Sequence, residues 1–143
     1  MVYLDTSSLM KLIWPEQESE AVAELISRER LVLVSALAEL ESRIQITAAY
    51  LAGAYSSSRS RRLRLELDSL LRREPFERRS LSGSVFENAQ AQHAKHGAAA
   101  FCRTLDRLHL AAMEELAVVR LVTNDLQQAD AARALNLVVQ VPS

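Results

Sequence analysis

The chain has 143 residues, 49% apolar and 24% charged, a composition typical of a globular protein and a length that suits one domain. Its single cysteine, Cys102, excludes an internal disulfide and a zinc site built on cysteine pairs. We therefore expect a reducing compartment, the cytoplasm. No apolar run approaches the ~18 residues of a membrane span, so neither a signal peptide nor a membrane anchor is predicted.

The net charge is −1, but the charges are unevenly distributed. Residues 59–79 carry eight arginines against four acidic residues, whereas the segments on both sides are acidic overall. Because arginine suits bidentate phosphate contacts and stacking on bases, this segment is a candidate nucleic-acid contact. Its first four arginines are Arg59, Arg61, Arg62 and Arg64. A solvated helix face is the commoner explanation of such a run, and the composition alone does not decide between the two.

The first half of the chain alternates short apolar runs, which predict buried strands, with apolar residues at helical spacing, which predict amphipathic helices. Pro15 is predicted to end the first helix and Ser35 to cap the third. The predicted elements are, in chain order, a strand over 2–4, a tight turn and a short helix before Pro15, a helix over 17–28, a strand over 31–34 and a helix over 35–51.

The second half continues the alternation. Ser84-Val-Phe-Glu87 has the spacing of a capping box, and Thr104 is predicted to cap the following helix. The predicted elements are a helix over 58–73, a short strand or extended link over 76–81, helices over 84–97 and 104–116, a strand over 118–123, a helix over 124–135 and a strand over 137–141. This order predicts an α/β fold with a parallel sheet covered by helices on both faces.

Two acidic residues follow predicted strands. Asp5 ends the first strand, and Asp125 comes just after the strand over 118–123. In open α/β sheets ligands bind beyond the carboxyl ends of the strands, near the point where the strand order reverses. Both acids are therefore expected at the same edge of the sheet. The alternative is that each is only a helix N-cap, and for Asp125 alone this alternative is favoured.

Glu41 is a candidate inward-facing acid. The helix after Ser35 has an apolar stripe made of Leu37, Leu40, Ile44, Ala48 and Leu51. The spacing places Glu41 with this stripe and Glu39 on a polar face, with Ser42 and Arg43. A buried carboxylate is costly and needs an arginine, a proton or a metal ion. A buried ion pair, or an acid reaching water at the edge of the stripe, stays open.

Asp106 repeats the pattern, because it shares a helix face with His109, Leu110 and Met113. A first-turn acid favoured by the helix dipole, hydrogen-bonded to His109, is the alternative. His109 itself is predicted to be a packed or hydrogen-bonded residue rather than a metal ligand. The other two histidines, His93 and His96, are predicted on a solvated surface.

Four acids gathered in this way point to one chemistry. Carboxylates a few ångströms apart cannot all stay ionised without a cation. A site of hard oxygen ligands suits Mg²⁺ or Mn²⁺, which activate water and stabilise charge on a phosphate. The predicted reaction class is metal-assisted phosphodiester hydrolysis.

Five segments resemble PIN domains, and VapC-type toxins in particular. They are Val2–Leu12, Val34–Glu41, Thr104–Leu110, Val122–Asp125 and Ala129–Val138. The resemblance covers nearly the whole chain and implies a single PIN domain over 1–143, a three-layer α/β/α sandwich with a four- to five-stranded parallel sheet. One departure is Asn136, where the family often has glycine, and asparagine tolerates the same left-handed turn.

The resemblance implies a Mg²⁺- or Mn²⁺-dependent endoribonuclease, the toxin of a toxin–antitoxin pair. It places the catalytic and metal-binding acids on Asp5, Glu41, Asp106 and Asp125. Glu41 matches because the family's glutamate lies six residues after the serine corresponding to Ser35. Supporting polar roles fall on Thr6, Ser7 and Thr123. The implied partners are an RNA substrate, a cognate VapB-like antitoxin and a second copy in a homodimer. From the charge distribution we expect the arginine-rich segment to contact the RNA backbone near the acidic site.

Other classes fit less well or stay open. A haloacid-dehalogenase-like phosphatase needs a second aspartate two residues after Asp5, where Ser7 stands. A receiver domain needs adjacent acids in its first loop, and these are absent. A non-catalytic RNA-binding or regulatory module, in which the acids are caps and ion pairs, remains the alternative.

Overall fold

The computed structural model describes all 143 residues, in five strands and seven helices. The strands are β1 (Val2–Leu4), β2 (Val32–Ser35), β3 (Phe76–Arg79), β4 (Arg120–Val122) and β5 (Val138–Gln140). The helices are α1 (Thr6–Ile13), α2 (Ser19–Ser27), α3 (Ala36–Leu51), α4 (Ser57–Leu71), α5 (Ser84–His96), α6 (Thr104–Glu115) and α7 (Leu126–Ala134). None of these helices has the length and apolar character needed to cross a membrane.

All five strands pair in parallel in one sheet, in the order β3-β2-β1-β4-β5. The chain runs outward from β1 through β2 to β3 and then returns to the other side of β1 with β4. The order therefore reverses between β1 and β4, and the crevice at their carboxyl ends is the switch point of the sheet. The predicted parallel sheet is confirmed, and the segment over 76–79 forms one of its two edge strands.

Helices cover both faces of the sheet, because successive strand residues point to opposite sides. Val2 and Leu4 contact the apolar faces of α1 to α4, whereas Tyr3, Leu33 and Leu121 contact those of α5 to α7. All of these strand residues are almost completely buried. The result is an α/β/α sandwich with one hydrophobic core on each side of the sheet.

Helix α3 corrects one sequence prediction. Its buried residues are Ala38, Ser42 and Ile46, whereas four of the five members of the predicted inward stripe are exposed: Leu40 (55%), Ile44 (58%), Ala48 and Leu51 (77%). Small side chains suit the buried face because they let the helix lie close to its neighbours. The buried Ser42 hydroxyl is satisfied by donating to the Ala38 carbonyl at 2.8 Å.

Capping by side chains is found at some predicted positions and not at others. Ser35 caps α3 as predicted, its hydroxyl accepting from the Ala38 N–H at 3.2 Å. Helices α5 and α6 begin at Ser84 and Thr104, so the residues before them, which have no side-chain cap, hold the N-cap positions. The predicted caps at Ser84 and Thr104 are therefore wrong by one residue. The Ser84 hydroxyl instead lies 2.6 Å from that of Ser82.

Candidate active site

A cleft of about 290 Å³ opens at the switch point, and all four predicted acids line it. Of its thirteen lining residues only Met10 is hydrophobic. The acidic and basic residues among them are Asp5, Lys11, Glu16, Glu41, Arg103, Asp106, His109 and Asp125. Residues that follow β1 and β4 thus meet residues of α1, α3 and α6 in one polar pocket, as the positions of the acids predicted.

Asp5 is the most buried of the acids, only 3% exposed, at the point where β1 leads into α1. As the N-cap of α1, its Oδ1 accepts from the Ser8 N–H at 3.0 Å. The hydroxyls of Ser7 and Thr123 donate to the carboxylate, Thr123 to Oδ2 at 2.6 Å. Burial raises the pKa of Asp5, although these hydrogen bonds act to lower it. The carboxylate has donors but no cation of its own, so a bound cation would stabilise its charge.

Glu41 reaches the cleft from α3 although its helix does not have the predicted inward stripe. Its Oε1 accepts from the Thr6 hydroxyl at 2.7 Å and lies 2.5 Å from His109 Nε2. Partial burial acts to raise the pKa of Glu41, but the hydrogen bonds from His109 and from the Thr6 hydroxyl outweigh it and lower the pKa. Glu41 is therefore ionised at neutral pH.

Glu39, by contrast, points away from the cleft. It accepts from Arg78 at 2.5 Å and from Arg43 at 2.9 Å, and Arg43 also bonds Asp68. Glu39 and Arg43 are thus part of an ion-pair network between α3, α4 and β3, rather than of a simple solvated face. Of these two glutamates, only Glu41 lies in the cleft with the other acids.

Arg103 holds the two remaining acids. Its Nε donates to Asp106 Oδ2 at 2.9 Å, and its Nη2 donates to Asp125 Oδ2 at 2.8 Å. Asp125 also caps α7, since its Oδ1 accepts from the Gln128 N–H at 3.0 Å. Asp106 lies in the first turn of α6 but bonds Arg103 and not His109, so that proposed pairing is wrong.

One important residue of the cleft, Arg103, was not predicted from the sequence, whereas His109 was predicted to be packed or hydrogen-bonded and is both, although its partners were not predicted. Arg103 stands three residues before Asp106, a spacing at which oppositely charged side chains meet on a helix. His109 stands three residues after Asp106 and therefore shares its inward face. These spacings place both residues near Asp106 and could have been used to predict them at the site. The hydrogen bond from His109 to Glu41 spans 68 positions and has no local sequence pattern.

The supporting polar residues lie at the site as well. Thr6 contacts Glu41, Ser7 contacts Asp5, and Thr123 bridges Asp5 to the backbone of Asp125, whose N–H donates to Thr123 Oγ1 at 3.0 Å. Three hydroxyl groups therefore orient the carboxylates of two of the acids, Asp5 and Glu41.

The arginine-rich helix α4 contributes nothing to the lining of the cleft. Arg61, Arg62 and Arg64 are exposed and form no ion pair, and the Arg59 guanidinium lies 4.1 Å from the centre of the Tyr55 ring. The basic residues that do line the cleft are Lys11 and Arg103.

The chemical type of the groups in the cleft suits a hard divalent cation. Five carboxylates line it, those of the four predicted acids and of Glu16, and oxygen ligands of this type are those that Mg²⁺ and Mn²⁺ prefer. In this structure, however, no three acidic, histidine or cysteine side chains are grouped closely enough to hold a metal ion. Arg103 supplies the positive charge between Asp106 and Asp125 instead.

Fold and cleft together define a class of protein, an α/β/α sandwich that gathers carboxylates at the switch point of an all-parallel sheet. The chain belongs to the PIN domain family, whose sequence profile matches residues 2–134. It is 33% identical over 150 residues to Ribonuclease VapC35 of Mycobacterium tuberculosis (strain CDC 1551 / Oshkosh), with 99% of this chain and 97% of the relative covered. The resemblance to PIN domains and VapC proteins is thereby confirmed.

Solved structures show the same fold at low sequence identity. VapBC2 from Rickettsia felis, bound to a DNA fragment from its promoter, matches with a TM-score of 0.72 and 17% identity over 100% of both chains. VapC20 from Mycobacterium tuberculosis, described as a Sarcin-Ricin loop cleaving toxin, matches with a TM-score of 0.70 and 13% identity over 92% of this chain and 95% of the other. FitAcB from Neisseria gonorrhoeae matches with a TM-score of 0.72 and 18% identity over 97% of this chain and 96% of the other.

Proposed function

We propose that this protein is a metal-dependent endoribonuclease, the toxin of a VapBC-type toxin–antitoxin pair, acting as a single PIN domain over 1–143. The observation that carries the proposal is the gathering of Asp5, Glu41, Asp106 and Asp125 in one cleft at the switch point. The full-length relative named a ribonuclease supports the nuclease activity, and the VapC20 description supports RNA as the substrate.

The same four acids are the proposed ligands of Mg²⁺ or Mn²⁺, directly or through water. When bound, such an ion supplies an activated water and stabilises charge on the phosphate. The residues of the chain orient these ligands: Ser7 and Thr123 hold Asp5, and Thr6 and His109 hold Glu41. Arg103, whose side chain is 68% exposed, lies at the rim, where a guanidinium can bind a phosphate oxygen of the RNA.

Cleavage of an RNA panel tests this function. Partner-free protein is incubated with tRNA, rRNA and mRNA in Mg²⁺, in Mn²⁺ and in EDTA, beside the Asp5→Asn variant. We expect cleavage that requires the metal and is lost in the variant. A folded, partner-free protein that cuts none of these RNAs contradicts the proposal.

A non-catalytic RNA-binding or regulatory module is the second candidate function. It is favoured by the ion pairs through which Arg103 neutralises Asp106 and Asp125 without a metal ion. In that case RNA binds equally well with EDTA and with Mg²⁺, no product forms, and Asp5→Asn changes little.

A variant of Arg103 distinguishes a cleft that binds a metal ion from one whose acids are neutralised by Arg103 alone. Changing Arg103 to glutamine leaves Asp106 and Asp125 facing each other without a cation, so we expect a lower Tm in EDTA than that of the wild type. Because Mg²⁺ then meets no competing guanidinium, we expect it to raise the Tm of the variant by more than it raises that of the wild type. Thermal unfolding with and without Mg²⁺ measures both effects.

The matched control is Arg133→Gln, which removes an exposed pair with Asp130 outside the cleft. Its Tm is expected to respond to Mg²⁺ as the wild type does. An equal response of the Arg103 variant and the wild type would show that Arg103 does not compete with the metal.

We propose that RNA is contacted by Arg59, Arg61, Arg62 and Arg64 of α4, outside the cleft. Their exposure and the lack of ion pairs at the last three leave them free to bind phosphates. Replacing Arg61, Arg62 and Arg64 by glutamine should weaken RNA binding in EDTA. It should also reduce the slope of log affinity against log salt, by about 0.7 for each single-strand phosphate that is no longer neutralised. A variant of the exposed Arg28 and Arg30 is the control, and equal salt slopes in the two variants would exclude the α4 contact.

The proposed partners are a cognate VapB-like antitoxin and a second copy of the chain. Relatives of the same fold were solved as VapBC2 and FitAcB, and another structure of this fold, from Klebsiella pneumoniae, is described as a toxin-antitoxin complex. The exposed apolar residues of α3 are suited to burial in a protein contact. Sedimentation of the isolated chain tests the homodimer. A cytoplasmic location stays a prediction from the single cysteine.

A further inference from the structure

The buried His109 uses both of its ring nitrogens. The side chain is 2% exposed, with Nδ1 2.7 Å from Tyr3 Oη and Nε2 2.5 Å from Glu41 Oε1. Tyr3 Oη in turn lies 2.7 Å from the Ser35 hydroxyl. A continuous line of hydrogen bonds therefore runs from the N-cap of α3, through β1 and α6, and back to α3 at Glu41.

The hydrogens of this line can be placed. Ser35 Oγ accepts from the Ala38 N–H, so its own hydrogen is available only to Tyr3. Tyr3 Oη accepts that hydrogen, and its own hydrogen is left to be donated to His109 Nδ1. The reverse direction leaves the buried Ser35 hydroxyl hydrogen without an acceptor, which is costly.

This direction determines the tautomer of His109. With Nδ1 accepting from Tyr3, the ring hydrogen is on Nε2 and is donated to Glu41 Oε1. Thr6 donates to the same Oε1 at 2.7 Å, whereas Oε2 of Glu41 has no hydrogen bond to the protein. One carboxylate oxygen is thus held by the protein, and the other is left free to bind a ligand in the cleft.

We propose that His109 is a positioning residue, which with Tyr3 behind it orients Glu41 so that Oε2 is presented to the metal ion. This assignment rests on the proposed function, because it takes Glu41 to be a metal ligand. A group that hydrogen-bonds a metal ligand fixes its orientation, and removing such a group typically costs about 10- to 100-fold in metal affinity or activity.

Mn²⁺ binding to the full chain without RNA tests the proposal, measured by calorimetry and by the electron paramagnetic resonance of free Mn²⁺ at one fixed pH. We expect His109→Leu to weaken Mn²⁺ binding by about 10- to 100-fold, since leucine donates no hydrogen bond. His109→Gln should recover most of this loss, because its amide N–H can reach Glu41 Oε1. Tyr3→Phe should cause a smaller but measurable loss, of up to about tenfold, because it removes only the group that fixes the tautomer.

Cleavage kinetics give a second readout. A positioning defect at Glu41 lowers kcat and leaves the KM for RNA unchanged, since His109 touches no substrate. The matched control is His93→Gln, the same substitution at an exposed histidine of α5, which is expected to match the wild type in both measurements. Circular dichroism at the assay temperature establishes that each variant is folded.

The outcomes separate the two proposals. If the wild type binds no Mn²⁺, the proposed function fails and this assignment fails with it. If the wild type binds Mn²⁺ and folded His109→Leu binds it equally well, only the positioning role is overturned. Where His109→Leu does not fold, Tyr3→Phe and His109→Gln decide, and unchanged Mn²⁺ affinity in Tyr3→Phe overturns the role.

Discussion

Changing Asp5 to asparagine is expected to abolish metal-dependent RNA cleavage while leaving the folded protein at least as stable as the wild type. The activity should fall by at least about a hundredfold, because a metal ion contributes several kcal/mol to stabilising the transition state and each 1.36 kcal/mol is a tenfold change in rate. The fold should survive because asparagine is as good an N-cap as aspartate, and its Oδ1 can accept from the Ser8 N–H.

The difference in stability between this variant and the wild type is predicted to depend on pH. Burial raises the pKa of Asp5 in the folded protein above the value of ~3.9 in an unfolded chain. The wild type therefore loses stability as the pH rises from about 4 through the folded pKa, because only the unfolded state releases the proton readily. Asparagine does not titrate, so the difference in Tm between variant and wild type should be largest at neutral pH and vanish at or below about pH 4.

Thermal unfolding in EDTA across this pH range, with Mg²⁺ titrations at neutral pH, measures both effects. Mg²⁺ should raise the Tm of the wild type and have little effect on Asp5→Asn. Asp130→Asn, at an exposed position of α7, is the control and should keep the wild-type response. A variant that still cuts RNA with Mg²⁺ at the wild-type rate would exclude Asp5 from the site.

Glu41→Gln and Glu39→Gln form a matched pair on one helix with opposite expected results. Glu41→Gln should lower the cleavage rate by at least about a hundredfold, because a neutral amide replaces a charged metal ligand. It should also lower the free energy of unfolding by about 1 kcal/mol, since the hydrogen bonds from Thr6 and His109 no longer end on a charged oxygen.

Glu39→Gln is expected to retain full activity. It weakens the ion pairs with Arg43 and Arg78, which are partly exposed and together worth about 1 kcal/mol or less. Single-turnover cleavage and thermal unfolding of both variants make the comparison. Equal activities of the two variants would show that the acid group does not include Glu41, whatever their stabilities.

The predicted functions of Asp5 and Asp125 as N-caps or as members of an acid group turn out to be compatible. Each caps the helix that follows its strand, and each lines the cleft. The reason is geometric: in a parallel sheet the residue that ends a strand and starts a helix lies at the carboxyl edge, where ligands bind. A capping spacing is therefore no argument against a position in the site.

Helix α3 shows where prediction from periodicity fails. Leu40, Ile44 and Leu51 have the spacing of a core stripe, yet they are exposed, and Ala38 and Ser42 are buried in their place. Hydrophobicity shows that burying a residue is favourable, but it does not show which face of the helix is buried. Here the face with the small side chains Ala38 and Ser42 packs against the protein, because small side chains allow a close approach. Glu41 does face the cleft, but the apolar stripe from which its inward direction was predicted is largely exposed.

The alternating α/β order, the parallel sheet and the acids at the ends of β1 and β4 could be predicted from the sequence, because they depend on residues a few positions apart. The group that neutralises or orients each acid, by contrast, is known only from the folded chain. Arg103 bonds Asp125 across 22 positions, His109 meets Glu41 across 68, and Tyr3 meets His109 across 106. Contacts at such separations are set by how the helices pack on the sheet, and local spacing carries no signal for them.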